Sequence, residues 1–282
     1  MFSKLLKHEF KANFGLLGIL SLCALGVGLL GGGILNAAIY ISENLSDNDV
    51  GLVGVTSLYS ALMFVILALV IYAVAVQFIN LYRFYKSRFT DEGYLTFTLP
   101  VNAHQIFLSA LLHMLAWMVI SSLVVLLAVA LILLIGVVPH LDLLGGDFSD
   151  MEGIFGQMGD ILGTEQGYDA YQVLTVVQTV FAPIYNLLLI MTSITLGCVL
   201  AKKHKILATV GMYYCITMLV GLLETILTLV PTVLMMAEMY ETGRYFTYMN
   251  ITAGISLSLQ VGIAVGGYFL STYLMKHKLN LP

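Results

Sequence analysis

The chain has 282 residues, of which 60% are hydrophobic and only 10% charged, and its mean hydropathy is +0.96. A soluble domain is about half apolar and about a quarter charged, so this composition argues against a soluble enzyme or a nucleic-acid-binding domain and for a chain that lives in lipid. The net charge of −4 decides little by itself; the placement of the charges decides the topology.

Six apolar stretches are long enough to cross a hydrocarbon core of ~30 Å, which takes ~20 helical residues. They lie near residues 14–41, 52–81, 106–138, 171–201, 206–237 and 246–275. Continuous runs of this kind predict helices, since backbone groups in lipid are satisfied within the segment; a membrane β-barrel shows short alternating segments instead. The expected fold is therefore an all-α membrane protein with six transmembrane helices, an N-terminal amphipathic interfacial helix and a short cytoplasmic coupling element between spans two and three.

Residues 1–13 carry the interfacial pattern. Phe2, Leu5, Leu6 and Phe10 share one helical arc, and Lys4, Lys7 and Lys11 cluster opposite, which suits a helix at the headgroup level of an anionic leaflet. Glu9 falls on the apolar arc, and two readings stay open: a snorkelling or solvated acid, or a partner for a basic residue of a neighbouring element. The first apolar run is too long for a signal-peptide core and has no small-residue cleavage site, so it reads as a retained span.

Charge then orients the spans. Eleven of the twelve Lys and Arg residues, all but Arg244, fall on one side when six spans are drawn, in groups at Lys4–Lys11, Arg83–Arg88, Lys202–Lys205 and Lys276–Lys278. The positive-inside rule predicts that both termini are cytoplasmic. Most acids take the other side, among them Glu43, Asp47 and Asp49 and seven in the segment 139–170. That outer segment has no calcium-loop spacing and reads as a solvated acidic loop.

Inside the spans, Gly28 and Gly32 are four residues apart, as are Gly262 and Gly266, a spacing that lets helices approach closely. Cys23, Cys198 and Cys215 show no paired spacing and read as small core residues. Glu224 is the one acid deep in a span, where charge is expensive. It reads as part of a translocation path, as a helix contact, or as the neighbour of a re-entrant break, since Pro231 follows within two turns. His113, in the third span, reads as a hydrogen-bonded packing residue before a proton relay; both are carried as substrate-path candidates.

The segment 82–105 joins the second and third spans. Arg83, Lys86 and Arg88 precede the acidic pair Asp91 and Glu92; Gly93 and Tyr94 follow, and Pro100 breaks the chain before the third span. It is too charged for lipid and too aromatic for a plain linker, and offers anchors to a soluble partner. No Gly-rich loop ending in Gly-Lys-Ser/Thr occurs, so the chain itself has no P-loop. There is also no His-Glu-x-x-His, no intramembrane Glu-Glu pair and no suggestive Ser/His pairing, so no enzymatic activity is expected.

The run Thr90-Asp91-Glu92-Gly93-Tyr94-Leu95-Thr96-Phe97-Thr98-Leu99-Pro100, followed by Gln105 and a long span, resembles the loop of ABC exporter permeases of the second exporter type, most nearly the six-span permeases of Gram-positive bacteria. The resemblance covers the whole chain in topology and about 25 residues in motif. It implies a permease subunit in the bacterial plasma membrane, paired with a second copy or a paralogue. It also implies a separate ABC ATPase subunit that holds the ATP and Mg, with no cofactor in this chain. The ATPase contacts implied are Arg83, Lys86, Arg88, Asp91, Glu92, Gly93, Tyr94 and Glu9. Apolar residues around Ala110 stand where the family often has a basic residue, so one loop-to-helix ion pair is not expected here. The cargo implied is amphiphilic, peptidic or drug-like. The competing readings are a non-transporting membrane sensor or assembly protein, and an ion-coupled carrier using Glu224.

Overall fold

The structure, a computed structural model, describes residues 2–45, 49–90, 92–93, 101–140, 168–201, 203–238 and 245–277. Among them are six long α-helices: α1 (Phe2–Leu45), α2 (Asp49–Phe89), α3 (Ala103–Gly136), α4 (Tyr168–Leu200), α5 (Lys205–Glu238) and α6 (Tyr245–His277). All six are long and apolar enough to cross a membrane, and the chain is an all-α, multi-pass membrane protein. Four of the expected spans fall inside these helices; those at 106–138 and 171–201 overrun the ends of α3 and α4 by two residues and one.

Local sequence sets the ends. Pro139 closes α3 in a 3-10 turn, Val138–His140. Asp169 stands in the first turn of α4 and Lys276 and His277 in the last turn of α6, each with the sign that the helix dipole favours. Pro183 and Pro231 are accommodated within α4 and α5, as happens in membrane helices. The re-entrant break considered near Pro231 is not present: α5 continues through it.

Helix α1 departs from expectation. Residues 2–13 do not form a separate element but are the first turns of a 44-residue helix, about 66 Å long at 1.5 Å per residue. Part of the reason is packing. Phe10 stands edge-on to the ring of His113, with centroids 4.8 Å apart, and packs against the core of the same unit. The apolar arc of this stretch is thus partly used inside the protein. The segment 141–167, most of the expected acidic loop, lies outside the described residues, as do Asp91 and residues 94–100.

The chain forms two compact units, Met1–Lys86 with Leu108–Asp147 and Ser87–Phe107 with Phe148–Pro282. In the first, Leu17, Tyr72, Val76, Trp117, Ala128 and Ile132 build a core among α1, α2 and α3. Several of its polar groups are tied: the Ser21 hydroxyl donates to Leu17 O and shares a 2.8 Å bond with Tyr72 Oη, and Asn36 donates to Ile135 O. Gly28 and Gly32 permit the α1–α3 approach. A Cβ on Gly28 would sit 2.9 Å from Ala128 Cα and O, and one on Gly32 would sit 2.8 Å from Ile135 Cβ.

The second unit is closed by α4, α5 and α6. Gly197 lies against the backbone of α5, where a Cβ would come within 2.5 Å of Thr209 N and Cα. Gly267 lies against Thr192, whose hydroxyl accepts from Ser271 while Ser271 accepts from Thr195. Gly262 and Gly266, equal in spacing to Gly28 and Gly32, meet nothing within 4 Å. Of the cysteines, Cys198 is buried as expected, whereas Cys23 and Cys215 are exposed on apolar helix faces.

Gly197→Ala should therefore destabilise the protein by about 2 kcal/mol, the scale of overpacking against a backbone. Gly266→Ala should be neutral or slightly stabilising, because alanine is the better helix former. Thermal unfolding in detergent, followed by circular dichroism, checks the contrast; equal melting of the two variants would contradict the packing described.

Candidate functional site

Three polar constructions stand out in otherwise apolar helices. The first closes the neck of the segment between α2 and α3. Arg88 is only 1% exposed; its guanidinium donates to the Ser87 hydroxyl at 2.8 Å and to the Ile106 carbonyl at 3.4 Å. It thus links the last turn of α2 to the first turn of α3. Lys205 Nζ donates to Phe89 O at 3.0 Å, satisfying a carbonyl that the end of α2 leaves without an intrahelical donor. Gly93 N donates to Thr90 O, and the Asn102 carbonyl opens α3 by accepting from Gln105 and Ile106. His104 and Phe107 pack on the ring of Tyr268, at 5.9 and 5.4 Å between centroids.

The second lies in the other unit and centres on Asn13. Arg83 Nη1 donates to Asn13 Oδ1 at 2.7 Å, and Asn13 Nδ2 donates to Asn80 Oδ1 at 3.1 Å. The same Nδ2 lies 3.0 Å from His113 Nε2. With Oδ1 occupied by the guanidinium, the amide nitrogen faces the imidazole as a donor, so His113 meets it with an unprotonated Nε2. Asn13, Asn80 and His113 are all buried.

The third is a cleft of about 300 Å³ among α4, α5 and α6. Helix α5 contributes Glu224, Thr228 and Thr232; helix α6 contributes Met249, Thr252, Ala253 and Ser256; Tyr171 and Gln178 come from α4. Ser256 Oγ donates to Glu224 Oε1 at 2.5 Å, a length typical of a charge-assisted bond. Gln260 Nε2 donates in turn to Ser256 Oγ at 3.3 Å, and its own Oε1 is buried with no hydrogen-bond partner. Tyr185 lies within electrostatic reach of Glu224. The cleft spans from mid-helix, at Glu224, to the ends of α4 and α6, where Phe246 packs edge-on to Tyr168 and beside Tyr171.

The residues expected to meet an ATPase are distributed as follows. Glu9 is half-buried, Arg83 is half-buried and bound to Asn13, and Lys86 is exposed; all three belong to the first unit. Arg88 is buried, Glu92 exposed and Gly93 buried, in the second unit. Asp91 and Tyr94 lie outside the described residues. His113 and Glu224 belong to different units and to different hydrogen-bond networks.

The partners of Glu224 were legible and were missed. Glu224, Thr228 and Thr232 recur every four residues on α5, and Thr252, Ser256 and Gln260 do so on α6, the spacing that stacks side chains on one face. No such signal ties Asn13 to Asn80 and His113, which are 67 and 100 residues away. The chain matches no known family, no curated protein and no solved structure.

Asn13→Leu removes the hub of the second construction and leaves the polar atoms of its neighbours buried. A loss of about 3 kcal/mol is expected, given ~1–3 kcal/mol for an orphaned buried group. Trp117, the sole tryptophan, sits in the core of the same unit. Its emission during thermal unfolding reads the loss directly, and Ser122→Ala on an exposed position serves as the unchanged control.

Proposed function

We propose that this chain is the transmembrane permease subunit of an ATP-driven ABC exporter in a bacterial plasma membrane, with both termini cytoplasmic. It would act with a separate ATPase subunit and a second permease copy or paralogue. The observation that carries this reading is the segment between α2 and α3. Its sequence, from Thr90 through Glu92 and Gly93 to Pro100, resembles the coupling loop of those permeases, and its neck is tied by a buried bond at Arg88 and a half-buried one at Lys205. A segment that receives force from a motor needs such a neck, because a loose hinge would absorb the displacement.

Helix lengths support the same reading. Helix α2 has 41 residues, about 62 Å, against a hydrocarbon core of ~30 Å. The excess leaves room for its basic end to stand clear of the membrane. In this arrangement Lys86 and Glu92, both exposed, are docking residues, and Arg88 positions the loop from within. ATP binding by the partner would drive rigid-body alternation between inward and outward states. The amphiphilic, peptidic or drug-like cargo follows from the apolar helices. The second reading, an ion-coupled carrier, draws on the polar cleft around Glu224.

Purification of the chain from its own host in mild detergent, followed by mass spectrometry, tests the proposal. A stoichiometric P-loop ATPase is expected, and Glu92→Ala should release it while the melting temperature stays unchanged. A preparation without an ATPase, from membranes in which another ABC complex survives intact, would overturn the permease reading. Transport that persists without any ATPase and is abolished by Glu224→Gln would favour the carrier.

A further inference from the structure

The hydroxyl groups of the Glu224 cleft have spent their hydrogens on the backbone. Thr228 Oγ1 donates to Glu224 O at 2.8 Å, Thr232 Oγ1 to Thr228 O at 2.7 Å and Thr252 Oγ1 to Met249 O at 2.9 Å. Each hydroxyl has one hydrogen and two acceptor lone pairs. What these three side chains offer to the cleft is therefore acceptor capacity alone. Ser256 spends its hydrogen on the Glu224 carboxylate. Among the described residues no Lys, Arg or His lines the cleft, and the one carboxylate there is that of Glu224.

We propose that this cleft is a binding site for an alkylammonium group. A carboxylate in a membrane span is costly unless it is paired, and the short bond from Ser256 satisfies only part of its capacity, since a carboxylate has about four acceptor positions. A primary ammonium brings one positive charge and three N–H donors. It matches one carboxylate and a row of acceptor hydroxyls in both charge and hydrogen-bond sense. An anion finds no donor among the threonines and is repelled by Glu224, the donors left to it being the Gln178 amide and the Tyr171 hydroxyl, and a neutral hydrocarbon leaves the carboxylate unpaired. The remaining wall suits the carbon substituent: Met249 and Ala253 are apolar, and the Tyr171 ring, seated beside Phe246, can take a cation or an alkyl chain on its face. A metal ion is a poorer match. It requires several converging hard ligands, whereas this cleft supplies one carboxylate in a space of about 300 Å³.

The ammonium can arrive on a free amphiphilic amine or as the headgroup of a membrane lipid. If the group is exported, the site gives the permease reading its substrate class and rests on that reading. As a binding site it stands on the cleft alone, and the experiment reads binding rather than transport.

The full chain, purified in a maltoside detergent with whatever partners accompany it, is titrated with n-octylammonium by calorimetry and by thermal shift. Saturable binding that raises the melting temperature by several degrees is expected. Glu224→Gln should weaken it by about a hundredfold or more, the effect of losing a charge-assisted bond of ~3 kcal/mol. Thr228→Val and Thr252→Val keep side-chain shape and remove one acceptor each. Both should fold, as judged by circular dichroism, and weaken binding by about five- to tenfold, as expected for a hydrogen bond of ~1 kcal/mol. Octyltrimethylammonium, a cation without N–H donors, should bind at least as weakly as n-octylammonium binds to those variants. Phosphatidylethanolamine retained by the wild type and lost from Glu224→Gln identifies the lipid as a source; its absence with octylammonium binding intact identifies a free amine. Octylammonium binding equal in wild type, Glu224→Gln and the two valine variants would overturn the proposal. So would stabilisation by sodium or potassium in place of the amine.

Discussion

A buried polar group in a membrane helix must find its partners within the protein, and this requirement organises the first unit. Asn13 is the clearest instance. Its oxygen is engaged by Arg83, and its two amide hydrogens serve Asn80 and His113. Three helices meet at one side chain, and each partner is chemically specified by what the others have taken. The orientation of the amide follows from the guanidinium, and the tautomer of His113 follows from the orientation of the amide. Apolar packing around Leu17, Val76 and Trp117 brings α1, α2 and α3 together, but it is non-directional. The polar hub selects one rotational setting of each helix, because a slip by one residue would strand several buried donors and acceptors.

The same logic recurs at the neck between α2 and α3, with a different purpose. Helix ends leave carbonyls without intrahelical donors, and a long connection would ordinarily expose them to water. Here Lys205 takes the carbonyl of Phe89, and Arg88 is directed inward to the carbonyl of Ile106. Two cations in a positive cluster are therefore committed to structure. Basic residues grouped by sequence as one contact surface divide into a buried one, Arg88, a half-buried one bound to Asn13, Arg83, and an exposed one, Lys86.

How much of this was legible depends on range. The number of spans and their approximate limits followed from hydropathy, which is a local quantity. Polar ladders on α5 and α6 are also local, since their spacing of four residues is visible in the chain, yet Glu224 read alone concealed them. Glycine pairs mark the boundary of what a motif can tell. Gly28-x-x-x-Gly32 and Gly262-x-x-x-Gly266 are alike in sequence, but only the first has a neighbouring helix against it. Spacing says that a close approach is possible; which helix makes it is decided by residues a hundred positions away. The continuity of α1 through residue 13 belongs to the same category. Its first turns read as interfacial because their apolar arc has no visible partner in sequence, and Phe10 finds its partner in His113.

The cleft at Glu224 completes the argument by showing that polarity in lipid has a direction as well as a quantity. Threonine in a membrane helix commonly returns its hydrogen to its own backbone, which makes it cheap to bury and converts it into an acceptor for anything beside it. Three such threonines beside one carboxylate bias the lining of α5 and α6 toward acceptors, and among the described lining residues Glu224 alone is charged. A cleft lined by the same number of serines donating outward would have no such bias. The selectivity lies in where the hydrogens go, and a hydroxyl is assigned its role by the helix that carries it.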